Sequence, residues 1–182
     1  MRVLSASLNI MVNLTRIYTS TGDDGQTRLS DNSVVLKTDA RVALIGTIDE
    51  ANCAIGVALT LGIDAEISQV LQTVQNELFN IGANGSRPEA LTQLENWCDS
   101  FNAELPPLRS FALPGGCPLA AQLHVARVVV RRAELAGWRA NQETAVDPNT
   151  LRYLNRLSDL LFILARYANM RAGTAETLWQ PL

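Results

Sequence analysis

From His124 to Glu134 the chain reads His-Val-Ala-Arg-Val-Val-Val-Arg-Arg-Ala-Glu, and this stretch restricts the fold more than any other. On a helix, residues three and four apart share a face. His124, Arg127, Arg131 and Glu134 follow that step, so one stripe carries two guanidinium groups and a carboxylate. Val125, Val128, Val129, Val130 and Ala133 occupy the other faces. A helix that is apolar on most sides is expected to be buried. A buried arginine without a partner costs on the order of several kcal/mol. The stripe therefore calls for a bound anion, or for a carboxylate from a neighbouring element.

A buried helix needs others around it, and the sequence supplies them. Asp39 can cap a helix with a core face of Val42, Ile45, Ile48, Ile55 and Leu59. A second runs from about Asp64 to Ala83, with Ile67, Val70, Leu71, Val74, Leu78 and Ile81 inside. Ser86-Arg87-Pro88-Glu89 reads as a capping box with proline in the first turn. It opens a shorter helix bearing Leu91, Leu94, Trp97 and Phe101, which Pro106-Pro107 ends. The arginine helix runs from near Pro118 to about Asn141. Asp147-Pro148 starts the last, with Leu151, Leu154, Leu157, Leu161, Leu164 and Ala168 inside. Helices of about 20 residues span about 30 Å, and several of that length with short links make a bundle. Only Arg16–Tyr18 and Ser33–Lys37 look extended, and no alternating run is long enough for a sheet. The fold class expected is all-α.

At 182 residues the chain is one domain long enough to bury a core. With 47% apolar and 18% charged residues it is globular. Its net charge of -3 argues against nucleic acid, which wants a basic field; an anionic ligand must be held by a local cluster. Cys53, Cys98 and Cys117 form no CxxC pair, so neither a zinc site nor a disulfide framework is implied. One histidine excludes a His-rich metal site. No apolar run reaches the ~18 residues of a membrane span. Residues 1–15 read as a loose N-terminal extension and a weak signal-peptide candidate, and Met11 is an alternative start. A reduced, cytoplasmic setting is the default.

Four places can carry chemistry. Tyr18 to Thr27, Tyr-Thr-Ser-Thr-Gly-Asp-Asp-Gly-Gln-Thr, gathers hydroxyls and two glycines. Glycines let backbone amides approach phosphates, and an aspartate can hold a phosphate-bridging metal ion. No Gly-Lys-Ser/Thr follows, so it is not a Walker loop; an ordinary polar turn is the plainer reading. The Arg127/Arg131/Glu134 stripe, with Arg132 beside it, binds an anion or forms structural ion pairs. Phe111 to Gly116, Phe-Ala-Leu-Pro-Gly-Gly, is an apolar wedge before a free turn, or a plain interhelix loop. Asn155, Asp159, Arg166 and Asn169 share one face of the last helix; they meet one another, a ligand or solvent. Asp49 and Glu50 are poor acid/base partners, but suit arginines from another helix or subunit.

Together these blocks resemble the PduO-type ATP:cob(I)alamin adenosyltransferases. The matching pieces stand in family order. Ile17-Tyr18-Thr19 leads to Gly22-Asp23-Asp24-Gly25-Gln26-Thr27, then Asp39-Ala40-Arg41-Val42 and Gly46-Thr47-Ile48-Asp49-Glu50-Ala51-Asn52. Val74 to Phe79, Phe111 to Gly116, His124 to Glu134 and Tyr153 to Asp159 follow. The resemblance implies a five-helix bundle in a homotrimer, with sites between subunits: residues 16–38 bind nucleotide and residues 39–171 form the bundle. It implies that Thr19, Gly22, Asp23, Gly25 and Thr27 cradle ATP and its phosphates, with Ser20 and Gln26 in the same loop. Arg131 would hold the triphosphate, while Glu134 and Asn155 orient the nucleotide. Arg127 would pair across the interface with Asp39, and Phe111 would press on the lower corrin face and help displace its axial base. Many relatives carry a basic residue at the position of Ser20 or Asp24, where this chain has none. Triphosphate binding would then lean on Arg131, Arg132 and Arg28. Leu135 stands where a basic residue is common, and Ala51 where leucine is usual.

The implied reaction moves the 5′-deoxyadenosyl group of ATP onto cob(I)alamin, with Mg²⁺ and arginines on the leaving triphosphate. No Ser-His-Asp set is needed, because the protein supplies alignment and charge neutralisation. A reductase and an adenosylcobalamin-dependent acceptor enzyme are the implied partners. One rival is an ATP-binding corrinoid delivery or sensing protein without turnover; another is a structural bundle whose arginines serve intersubunit ion pairs.

Overall fold

The computed structural model describes residue 18, residues 20–61 and residues 64–181. The expectations for residues 1–15, for Met11, Arg16 and Ile17, and for Thr19 lie outside those. The chain divides into two compact units, Met1–Lys37 and Thr38–Leu182.

In the first unit, β1 (Gln26–Arg28) pairs antiparallel with β2 (Val34–Leu36), Thr27 opposite Val35. Leu29 N donates to Ser33 O and Asn32 N to Leu29 O, closing the turn; Asn32 takes a left-handed φ of 66° there. This ribbon departs from the all-α expectation. Strands of three residues are too short for alternation to reveal them, and pairing with β2 is what makes β1 extended.

The second unit is five helices: α1 (Ala40–Leu59), α2 (Ala65–Asn84), α3 (Pro88–Ala103), α4 (Pro118–Glu143) and α5 (Pro148–Arg171). Asp39, Asp64 and Asp147 cap α1, α2 and α5, each accepting from the backbone two residues on. Each satisfies one donor that a helix start leaves open. α4 packs between α1 and α5, α2 lies on α1, and α3 on α5. All six expected core positions of α2, and all six of α5, are buried.

Three expectations change. In α1 the buried positions are Leu44, Ile48, Ala51, Asn52, Ile55 and Ala58, while Ile45 is exposed. The helix is apolar nearly all round, so spacing alone does not select its inner face. α1 is also long and apolar enough to cross a membrane by length and composition, but its buried stripe packs on α4 and α2 as core. Ser86 is no cap: α3 has Arg87 at that position with no side-chain bond. Ser86 is instead buried, its N–H donating to Thr150 Oγ1 and its hydroxyl to Glu77. Finally, Val125, Val128, Leu135 and Trp138 of α4 are about half exposed, so one side of the helix expected to be buried is open in a single protomer.

Candidate active site

α4 and α5 lie side by side, and their polar faces meet the long α3–α4 connection at a cleft of about 730 Å³. Phe111, Arg127, Arg131, Asp159, Phe162 and Arg166 are among its lining residues. Arg127 and Arg131 sit one turn apart, as the helical spacing requires. Arg127 is half-buried, and its Nε is a buried donor with no hydrogen-bond partner. Burial first, then the Arg131 charge, hold its pKa below the ordinary arginine value. An unpaired buried donor on a cation is costly, so this spot is built for an anionic or strongly accepting ligand.

The rest of the stripe follows the same seam. Asn155 Nδ2 of α5 donates to Glu134 Oε1 of α4 at 3.2 Å. Arg132 points to the other side of α4 and pairs with Glu50 of α1. Asp39 accepts from Arg41 Nε at 3.1 Å and Nη2 at 2.9 Å, and these bonds hold its carboxyl below the usual range. Its partner within this protomer is thus Arg41.

Phe111 is 74% exposed at the cleft edge. The turn after it is pinned by buried Asn169, whose Oδ1 accepts from Cys117 N at 2.9 Å and whose Nδ2 donates to Gly115 O at 3.2 Å. Gly116 has φ 105°, and a Cβ there would come within 2.1 Å of Asn169 Oδ1. Only glycine fits both requirements. The polar face of α5 is thus divided: Asn155 and Asp159 are exposed, whereas Arg166 and Asn169 are buried.

The glycine loop belongs to the other unit. Ser20 and Gly25 have left-handed φ of 59° and 79°. Gly25 N donates to Gly22 O, and Lys37 N to Gly25 O at 2.8 Å. A Cβ on Gly22 would come 3.1 Å from Lys37 Nζ and 3.2 Å from Gln26 O. An ammonium group, that of Lys37, thus stands over the loop. Its signal in the sequence was a lysine ending the extended Ser33–Lys37 segment. Arg28, the cation expected there, donates from Nη1 to Asn32 O at 2.8 Å, at the hairpin's far end. Asp23 and Asp24 are exposed.

Residues 17–168 match the family model described as cobalamin adenosyltransferase. The chain belongs to the cobalamin adenosyltransferase family. It is 52% identical over 187 residues to a corrinoid adenosyltransferase of Mycobacterium tuberculosis, covering 93% of this chain and 95% of that one. A corrinoid adenosyltransferase of Homo sapiens is 36% identical over 182 residues, covering 90% and 73%. Among solved structures, a variant of the PduO-type ATP:corrinoid adenosyltransferase from Lactobacillus reuteri, complexed with cobalamin and ATP, superposes with TM-score 0.86. It is 33% identical, covering 91% of this chain and all of that one. A second variant of that protein, complexed with ATP, has TM-score 0.83 at 34% identity, covering 90% of this chain. As a cobalamin adenosyltransferase the chain is an enzyme, and its Arg127/Arg131 cleft is the first place to look for the reacting groups.

Proposed function

We propose that this protein transfers the 5′-deoxyadenosyl group of ATP to cob(I)alamin, giving adenosylcobalamin and triphosphate. The observation that carries the reading is Arg131, exposed and in no salt bridge among the described residues, in the same cleft of about 730 Å³ that Phe111 lines. When bound, cob(I)alamin supplies the nucleophile; the cobalt–carbon bond forms as the bond from C5′ to triphosphate breaks.

The chain's own groups do the rest. Negative charge grows on the leaving triphosphate, and Arg131 of one copy and Lys37 of a neighbouring copy neutralise it. Backbone amides of the Gly22–Gly25 turn meet the phosphates, with Thr19, Ser20, Gln26 and Thr27 adding donors. Mg²⁺ on a nucleotide takes one or two carboxylates plus phosphate oxygens. Asp23 and Asp24 fit that demand without a dedicated cage. Glu134 and Asn155, already bonded to each other, orient the nucleoside. Phe111 and Phe162 form an apolar wall that keeps water and an axial base from the lower corrin face. Arg127 pairs with Asp39 of a neighbouring copy, which leaves Arg41 for it, and Arg132 stays with Glu50.

The assembly in this proposal is a homotrimer. Val125, Val128, Leu135 and Trp138 make an exposed apolar stripe along α4, of the kind that a second copy covers. A reductase and an acceptor enzyme remain the proposed partners. A reducing cytoplasmic setting suits the free Cys53, Cys98 and Cys117.

Protein incubated with MgATP and chemically reduced cobalamin should yield adenosylcobalamin and triphosphate in equal amounts. Corrinoid recovered unchanged, with ATP bound, would replace transfer with delivery or sensing.

A further inference from the structure

Phe111 sits in the long connection between α3 and α4, mostly exposed. A wall residue on such a segment has backbone freedom that catalysis does not tolerate: a misplacement of about 1 Å can cost about 100-fold. The structure shows what restrains it. Residues 174–179, beyond α5, run back along the Phe111 segment as a second strand. Leu113 N donates to Thr177 O at 2.8 Å and Trp179 N to Phe111 O at 2.7 Å. Ala112 and Leu178 form an antiparallel bridge. Ser110 Oγ donates to Trp179 O at 2.8 Å, and the Phe111 and Trp179 rings lie 6.3 Å apart.

A short two-stranded ribbon is marginal by itself, so something must fasten it. That group is Arg166, 5% exposed on α5. Its Nε donates to Glu176 Oε1 at 2.9 Å, and its Nη2 to Glu176 Oε2 at 3.2 Å. The same Nη2 donates to Pro106 O at 2.9 Å. One guanidinium therefore holds both chain segments that lead into the paired stretch, the α3–α4 connection at Pro106 and the C-terminal segment at Glu176. A bidentate arginine–carboxylate pair fixes direction as well as distance. Arg166 also lines the cleft that Phe111 borders.

We infer that Arg166 and Glu176 are positioning residues: their ion pair fastens segment 174–179 to the Phe111 strand and thereby sets where Phe111 stands over the corrinoid. This rests on reading Phe111 as the corrinoid-facing wall.

The test compares Glu176→Ala, Glu176→Asp, Phe111→Ala and the Phe111→Ala/Glu176→Ala double variant, with Trp179→Pro as a break that leaves the charges intact. Circular dichroism and thermal midpoint confirm folding. The readouts are MgATP affinity, kcat, the four-coordinate fraction of cob(II)alamin bound with MgATP, and trypsin release of the peptide after Arg171. Glu176→Ala should keep MgATP affinity within about twofold and lose turnover by about 10- to 100-fold. It should lower the four-coordinate fraction and speed release of the peptide. Trp179→Pro should match it, Glu176→Asp should recover part of the loss, and the double variant should be no slower than Phe111→Ala. A normal kcat and spectrum in Glu176→Ala beside a defective Phe111→Ala would overturn the positioning role alone, as would losses that multiply in the double variant. A Phe111→Ala enzyme with normal spectrum and rate would remove the reading of Phe111 and the positioning role with it.

Discussion

Asn155 of α5 and Glu134 of α4 are joined by a 3.2 Å hydrogen bond across the helix seam, a turn away from Asp159 on one helix and Arg131 on the other. Asn155 is exposed and Glu134 half-exposed. Solvent screens an exposed contact of this kind, so it contributes little to folding, and in the proposed site both groups address the nucleotide. Asn155→Ala should leave the thermal midpoint unchanged and weaken MgATP by about tenfold, about 1.4 kcal/mol. Calorimetric titration decides it, and equal affinities would take the pair out of the nucleotide site.

Arg131 makes no salt bridge among the described residues that would be lost on truncation, and its side chain is exposed at the cleft. Arg131→Ala should therefore fold and assemble as the parent does while losing turnover by about 100-fold or more, in line with removing a group that meets transition-state charge. Arg131→Lys should recover part of it, since a point charge replaces a planar fork. Near-normal product formation in the alanine variant would end the triphosphate role.

Lys37 and Arg28 are both cations of the hairpin, but only Lys37 stands over Gly22. Lys37→Ala should weaken MgATP about tenfold and respond to salt, while Arg28→Ala stays within about twofold. Reversed effects would place the phosphates at the other end of the ribbon.

The difference between those two residues shows what a linear reading reaches. Periodicity found α2 and α5 with their inner faces, because each has a polar side to set against the apolar one. In α1 it found Ile48 and Ile55 but took Ile45 for Leu44, since the two look alike until α4 is placed beside them. The capping-box pattern at Ser86 was misleading because Glu77 and Thr150, distant in sequence, claim that hydroxyl and amide. Arg127, Arg131 and Phe111 were legible as a cluster through helical spacing and chain order. Lys37 was not, since its place depends on how β2 pairs with β1. Nor was the Arg166–Glu176 pair, which exists only because the chain doubles back after α5.

Glu77 illustrates a stability role. It is 2% exposed and accepts from Arg87 N at 3.1 Å, Arg87 Nη2 at 2.7 Å and Asn80 Nδ2 at 3.1 Å. Desolvation, the largest single influence, pushes its pKa up, but these bonds outweigh it and hold the carboxyl below the ordinary value. Glu77→Ala strands a backbone donor and the Ser86 hydroxyl, at about 2 kcal/mol. A thermal midpoint lower by about 4–8 °C follows for a chain of this size, with MgATP affinity preserved. An unchanged midpoint would mean that solvent satisfies those groups.

His124 gives the pH dependence. It is 4% exposed, its Nδ1 has no hydrogen-bond partner, and its ring meets the edge of Phe162. Burial first, then the Arg127 charge, push its pKa below the ordinary histidine value; Glu176 pulls more weakly the other way. The folded protein therefore binds fewer protons at this site than the unfolded chain once pH falls below about 6.5. Stability that is complete above that pH is lost as pH falls from about 6.5 toward the folded value. His124→Gln removes the titration and keeps much of the volume. Its thermal midpoint should fall less steeply than the parent's between about pH 7 and pH 5. Glu77 and Asp39, with pKa values held below the carboxylate range, add losses at lower pH and in both proteins alike. Parallel curves across the upper window would show that His124 is protonated in the folded state as readily as in the unfolded one.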